Sequence, residues 1–166
     1  MNKSHLTAIR RTKISAPIKE LIDWNEVGIG ASSSDSVGDK ILDYGCGRGY
    51  DADAMNWYKY DPHYFPSIIA DDYYDIVICQ YVLNVISSKK ERVQVINSVL
   101  DCLKGSGKAF FIVRDDIKED GLTAKGTWQG VVNLDEYMRI WGHRGGKYKI
   151  YVFSYQYYDK LRGYVE

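Results

Sequence analysis

Ile41-Leu42-Asp43-Tyr44-Gly45-Cys46-Gly47-Arg48-Gly49 is the stretch on which the reading of this chain depends. Lys40 to Tyr44 has the length and apolar character of a buried strand, and it opens directly into three glycines at alternate positions. Glycine lacks a Cβ, so such a turn lets main chain come close to a ligand. In open α/β sheets, ligands bind outside the carboxyl ends of the strands, where this turn falls. The spacing is D-x-G-x-G-x-G. It differs from the G-x-G-x-x-G of dinucleotide sites and lacks the G-K-[ST] ending of a P-loop. Asp43 precedes the first glycine by two residues. A carboxylate there repels a pyrophosphate but accepts hydrogen bonds from an ammonium group or water. The pattern favours S-adenosylmethionine (SAM), which has an amino acid moiety and no phosphate, over NAD or ATP.

Working outward, Ser15 with Pro17 and the apolar Ile18, Leu21 and Ile22 predicts a helix over about 16–25. Gly28 to Gly38 is a Gly/Ser-rich loop. Beyond the glycine turn, Asp51 to Trp57 suits a short helix and Tyr58 to Asp61 a strand stopped by Pro62. Asp75 to Leu83 is a continuous apolar run rich in β-branched residues, the mark of a strand buried on both faces. Ser87 and Ser88 open a helix carrying Val93, Ile96, Val99, Leu100 and Leu103, with Gly105 as its stop. Lys108 to Arg114 is the next strand and Asp115 to Gly130 a polar loop. Asn133 suits the cap of a helix over Leu134–Trp141, followed by a turn at His143–Gly146. Tyr148 to Tyr155 reads as an edge or antiparallel strand, and a final short strand is expected at the C-terminus.

Strands alternating with helices predict an α/β, three-layer, Rossmann-like sheet, mostly parallel with an antiparallel edge strand. The 166 residues suit one domain over 1–166, with 1–26 as an N-terminal lid and helix segment. Lys plus Arg and Asp plus Glu both number 22, so the formal net charge is zero, which disfavours indiscriminate nucleic-acid binding. Two local basic clusters stand out: Lys3, His5, Arg10, Arg11 and Lys13, and His143, Arg144, Lys147 and Lys149. Three cysteines without a C-x-x-C pair suggest neither a disulfide framework nor a metal site. No apolar stretch is long enough for a membrane span, and the start lacks the apolar core of a signal peptide, so a cytoplasmic protein is expected.

The stretch ILDYGCGRGYD, residues 41–51, resembles motif I of the class I SAM-dependent methyltransferases. Further pieces resemble a bacterial family described as DNA phosphorothioation-associated methyltransferases. They are His5-Leu6-Thr7-Ala8-Ile9-Arg10, Ser15-Ala16-Pro17, Tyr60-Asp61-Pro62, Tyr81 to Ile86, and Gly126-Thr127-Trp128-Gln129, in that family's order across residues 5–155. The resemblance implies SAM as cofactor, held by Asp43, Gly45, Cys46, Gly47 and Gly49. It implies that Asp61, at the end of the second strand, holds the ribose hydroxyls, and that Gln80 to Asn84 line the cofactor and acceptor pocket. Asp61 follows Gly49 by only 12 residues (61 − 49), so the first helix must be cut to about two turns.

Methyl transfer from a sulfonium mainly requires alignment in a dry pocket. His5, Tyr81 and Gln129 are the candidate catalytic residues, with Arg10 and Thr127 as further acceptor-side candidates; His5 requires the N-terminal segment to fold over the site. His143 fits a surface loop, and Cys46 is expected to pack within its turn without acting as a nucleophile. None of Pro17, Pro62 and Pro66 lies after the Asp75–Leu83 run or before a cysteine, which disfavours ordinary base-amino and cytosine-C5 chemistry. The acceptor is therefore expected to be a small molecule or a modified nucleotide, with nucleic acid as a possible partner. The alternative is a catalytically degenerate SAM-binding subunit that regulates a nucleic-acid modification complex.

Overall fold

A computed structural model describes residues 4–30 and 38–154. Most of the Gly/Ser-rich loop and the expected C-terminal strand lie outside the described residues. Among the described residues, six strands form one sheet in the order β2-β1-β3-β4-β8-β7. Its members are β1 (Ile41–Tyr44), β2 (Tyr58–Tyr60), β3 (Tyr74–Gln80), β4 (Leu103–Arg114), β7 (Arg139–Arg144) and β8 (Tyr148–Phe153). The pairs β1–β2, β1–β3 and β3–β4 are parallel, and β4–β8 and β8–β7 are antiparallel. This is the expected mostly parallel, three-layer sheet, with its antiparallel edge extended to a hairpin.

The uninterrupted apolar runs divide by alternation between two cores. In β3, Val77 and Cys79 join one core, and Ile76 and Ile78 the other. In β4, Phe111 and Val113 face the first core, and Phe110 and Ile112 the second. The first core is covered by α3 (Lys89–Asp101) through Ile96, Val99 and Leu100, and the second by α1 (Ala16–Asp23) and α2 (Tyr50–Met55). Burying each such large apolar side chain is worth roughly 1.5–3 kcal/mol. The first helix after the glycine turn has only 6 residues, as the spacing to Asp61 requires, and it ends at Asn56 in a left-handed conformation.

Three expectations are corrected. Leu134–Trp141 is not a helix. Asn133 Oδ1 accepts from Asp135 N at 2.8 Å, and the N–H groups of Tyr137 and Met138 both return to the Leu134 carbonyl, giving a single turn. Leu134 and Met138 enter the α3-side core while Trp141 packs on the opposite one. A spacing of four and seven residues that mimics one helical face is thus a turn followed by a strand that rounds the sheet edge. Accordingly His143 and Arg144 lie in β7, and the turn is at 145–147. Secondly, Gly105 does not stop α3. The helix ends at Asp101, and β4 already begins at Leu103, beside Tyr74. Thirdly, the polar loop after β4 holds a small antiparallel ribbon of β5 (Gly121–Leu122) and β6 (Trp128–Gln129).

Chain direction in the sheet places the site. After β1 the chain crosses by α2 to β2 on one side; after β3 it crosses by α3, on the other face, to β4 on the other side. The segments leaving β1 and β3 therefore part, and a crevice opens at the carboxyl ends of these neighbouring strands.

Candidate functional site

That crevice is a cleft of about 1090 Å³. It is lined by Asp43, Gly45, Cys46, Gly47, Gly49, Asp61, Gln80 and Asn84, and also by His5, Tyr81 and Gln129. The topology thus brings every residue of the motif-based site to one opening. Arg10 and Thr127 are not among the lining residues; Thr127 is buried in the β5–β6 ribbon with its hydroxyl 2.7 Å from that of Thr123.

The three glycines of the turn all have positive φ, at 76°, 56° and 77°. Their surroundings differ. A Cβ on Gly45 would lie 2.3 Å from Val82 Cγ2, so this glycine lets the segment after β3 pack against the turn. A Cβ on Gly49 would meet Lys59 Cδ at 2.8 Å and the Phe65 ring at 3.1 Å. A Cβ on Gly47 would meet only Ala8, at 3.1 Å from its Cβ. The N–H groups of Gly45 and Cys46 both donate to the Tyr60 carbonyl, at 2.7 and 3.0 Å, tying the turn to the end of β2.

Asp61 completes that tie. Its carboxylate accepts from Gly47 N at 3.1 Å and from the N–H groups of His63 and Tyr64 at 2.9 Å each. A carboxylate offers about four lone-pair sites, so roughly one remains for a ligand hydroxyl. Asp61 is therefore both a turn cap and a cleft residue.

Asp43 is buried beneath the turn. Burial, followed by the charge of Asp51, raises its pKa to about 8, with Asp61 adding and Arg11 opposing. At neutral pH the group is largely the neutral acid. The Cys46 thiol is pushed far above its ordinary range by burial and by the charges of Asp43 and Asp61, which leaves it inert as a nucleophile.

The segment leaving β3 begins with Tyr81 at φ 60°, a conformation costly for a bulky residue and concentrated at functional sites. Burial raises its hydroxyl to about 12, with Arg11 and Arg114 nearby and opposing. It therefore remains protonated at neutral pH and cannot serve as a resting base; it can orient an acceptor. Gln129 accepts from Arg114 Nη1 at 2.9 Å, and the same guanidinium grips the Asp116 carboxylate. His5 stands at the lip of the cleft, stacked on His63 with ring centroids 4.1 Å apart.

Asn84 serves the frame. It is fully buried, its Nδ2 donates to the Gly130 carbonyl at 2.9 Å, and its Oδ1 accepts from Arg114 N at 2.8 Å. Its own carbonyl accepts from Gly130 N at 2.8 Å. This amide pins the β6 end against β4, and the residue lines the cleft. Asn84→Ala strands buried partners, and we expect a loss of about 2–4 kcal/mol in urea unfolding.

Sequence reasoning did not single out Ser15, Asp51, Arg114 or Tyr148 as site residues, yet all line the cleft. Each lies in a stretch read as secondary structure, where no spacing announces which way the side chain faces.

No family model matches the chain, and no curated protein matches it. Among solved structures, the PH0226 protein from Pyrococcus horikoshii is similar at TM-score 0.55 and 14% identity, over 82% of this chain and 86% of that one. A SAM-dependent methyltransferase from Aquifex aeolicus is similar at TM-score 0.51 and 14% identity, over 82% and 88% respectively. The fold is that of the class I SAM-dependent methyltransferases. Among the described residues, no helix is long and apolar enough to cross a membrane and no cluster of three or more metal-ligating side chains occurs.

Proposed function

We propose that this chain binds SAM in the cleft and transfers its methyl group to a small acceptor, a free or modified nucleotide included. The observation that carries this reading is the glycine turn. Its bare main chain at Gly47 faces the cleft, a buried acid lies beneath it at Asp43, and a second acid stands at the end of β2. The residues fit SAM: Asp43 would hold its ammonium group and Asp61 its ribose hydroxyls. When bound, SAM supplies an activated methyl on a sulfonium, so the chain's share is alignment and exclusion of water. Tyr81 and Gln129, with the Arg114–Asp116 pair behind them, provide the polar groups that orient an acceptor.

Charge supports a small acceptor over a polynucleotide. Arg11, Arg48, Arg114 and Lys147 in the lining are countered by Asp51, Asp61, Asp116 and Glu91. A polyanion is held by surplus positive charge, which this lining lacks. The likeness to the phosphorothioation-associated family keeps nucleotide-derived acceptors in view.

Asp61→Ala is expected to weaken S-adenosylhomocysteine by about 1–3 kcal/mol, the scale of a hydrogen bond to a charged group. Calorimetric titration with the demethylated cofactor checks this, with Asp61→Asn as the variant that keeps the acceptor for the His63 and Tyr64 N–H groups. Affinity unchanged in both would place the ribose elsewhere. Tritiated-methyl transfer into metabolite and oligonucleotide fractions then identifies the acceptor, and transfer only into long polynucleotides would overturn the small-acceptor reading.

A further inference from the structure

The segment from His5 to Ser15 crosses the mouth of the cleft and touches each of its walls. On the β2 side, His5 stacks on His63, and the Tyr64 hydroxyl donates to the His5 carbonyl at 3.2 Å. In the middle, Ala8 lies on the glycine turn, 3.1 Å from the point a Cβ on Gly47 would occupy. On the α2 side, Asp51 Oδ1 accepts from Ser15 N at 2.9 Å, and its Oδ2 lies 3.8 Å from Arg11 Nε. On the β3 side, the Ser15 hydroxyl donates to Gln80 Oε1 at 3.0 Å.

Two features set this segment apart from ordinary surface chain. First, it rests on the very glycine whose bare main chain faces the cleft. Carbon atoms pack at about 3.5–4.0 Å, so the gap between Ala8 and Gly47 admits no further layer of atoms. Secondly, Asp51 is only 6% exposed, and the hydrogen bond and ion pair at its carboxylate both come from this segment. Lifting the segment would leave a buried carboxylate without those partners, which is unfavourable unless another cation or donor replaces them.

We propose that residues 5–15 form a strap latched at Asp51 by Arg11 and Ser15, which must swing away to admit the cofactor and then relatch over it. The strap is the removable wall of the pocket, and the latch sets how long the cofactor stays. This rests on the SAM-binding reading above. It adds that entry and exit are gated by a charge pair that need not touch the ligand.

The test uses the full chain and S-adenosylhomocysteine as probe. Trypsin cuts after Arg10, Arg11 and Lys13, all within the strap. In the wild type these cuts are expected to be slow, and slower still with the probe present. Asp51→Asn keeps the side-chain size and removes the charge; it is expected to speed cleavage after Arg10 and Lys13. Stopped-flow displacement of the probe is expected to show koff raised about three- to tenfold in Asp51→Asn and in Arg11→Gln, with kon equal or higher, because related sites differ mainly in off-rate. Arg11→Gln alters a partly exposed side chain and keeps the second variant informative should the first lose its fold. An unchanged koff in both variants, with strap cleavage indifferent to the probe, overturns the strap while leaving SAM binding intact. If the wild type binds no probe at all, the SAM reading falls and the strap's role falls with it.

Discussion

Gly47→Asp is expected to abolish binding of SAM and S-adenosylhomocysteine while leaving the sheet folded. Gly47 sits at φ 56°, where a side chain costs about 1–2 kcal/mol, and Asp tolerates that region better than most residues. Its new Cβ would meet only Ala8 of the strap, so the fold beneath is undisturbed. The carboxylate would enter a cleft that already holds Asp43 and Asp61, take space from the ligand and break the approach of main chain. A shift in Tm of roughly 2–8 °C would match the strain alone. Calorimetry then separates the two effects: a near-normal melt with no heat of binding is the expected result. An affinity equal to wild type would remove the turn from the site. The neighbouring glycines do not offer so clean a test. At Gly45 a Cβ runs into Val82, and at Gly49 into Lys59 and Phe65, so substitutions there disturb the packing of the segments after β3 and β2.

The parallel sheet and the cleft were legible because their signals are local. A strand buried on both faces carries a continuous apolar run, and Ile76–Cys79 shows it, although the strand ends at Gln80 and not at the expected Leu83. A turn that presents main chain must be glycine-rich, and 45–49 shows that. The short count between Gly49 and Asp61 likewise called for a helix of about two turns, and α2 has 6 residues. What stayed hidden was long-range. Leu134, Met138 and Trp141 keep helical spacing, yet they face opposite cores because the chain rounds an edge there. Asn84 lines the cleft, as the resemblance implies, but its amide also bonds Gly130 and Arg114, 46 and 30 residues away, and nothing local announces that. Asp51 carried no signal beyond a helix N-terminus, since its importance arises from burial against a segment 36 residues earlier.

Asp43→Asn is expected to remove the pH response that this group gives to both stability and cofactor affinity. The folded pKa of about 8 exceeds the ordinary carboxyl value of 3.8, so between those limits the folded chain holds a proton that the unfolded chain has released. Stability must then fall as pH rises through that window, by up to about 1.4 kcal/mol per pH unit from this one group. Well below pH 3.8 both states are protonated and the group contributes no slope. Asparagine mimics the neutral acid in shape and never ionises, so the variant should equal the wild type near pH 4 and exceed it by about 2–5 kcal/mol at pH 8. Urea unfolding at pH 4.5, 6 and 8 reads this directly, and parallel profiles for the two proteins would mean that Asp43 is not the buried proton. The cofactor works against the same balance. A cationic ligand over Asp43 favours its ionised form, so binding should expel a proton and tighten as pH rises from 6 to 8. Titrations in buffers of different ionisation enthalpy count that proton. In Asp43→Asn the count should drop to zero and affinity should become weaker and flat across the window, because the same carboxylate that burdens the empty fold is the one that greets the ammonium group.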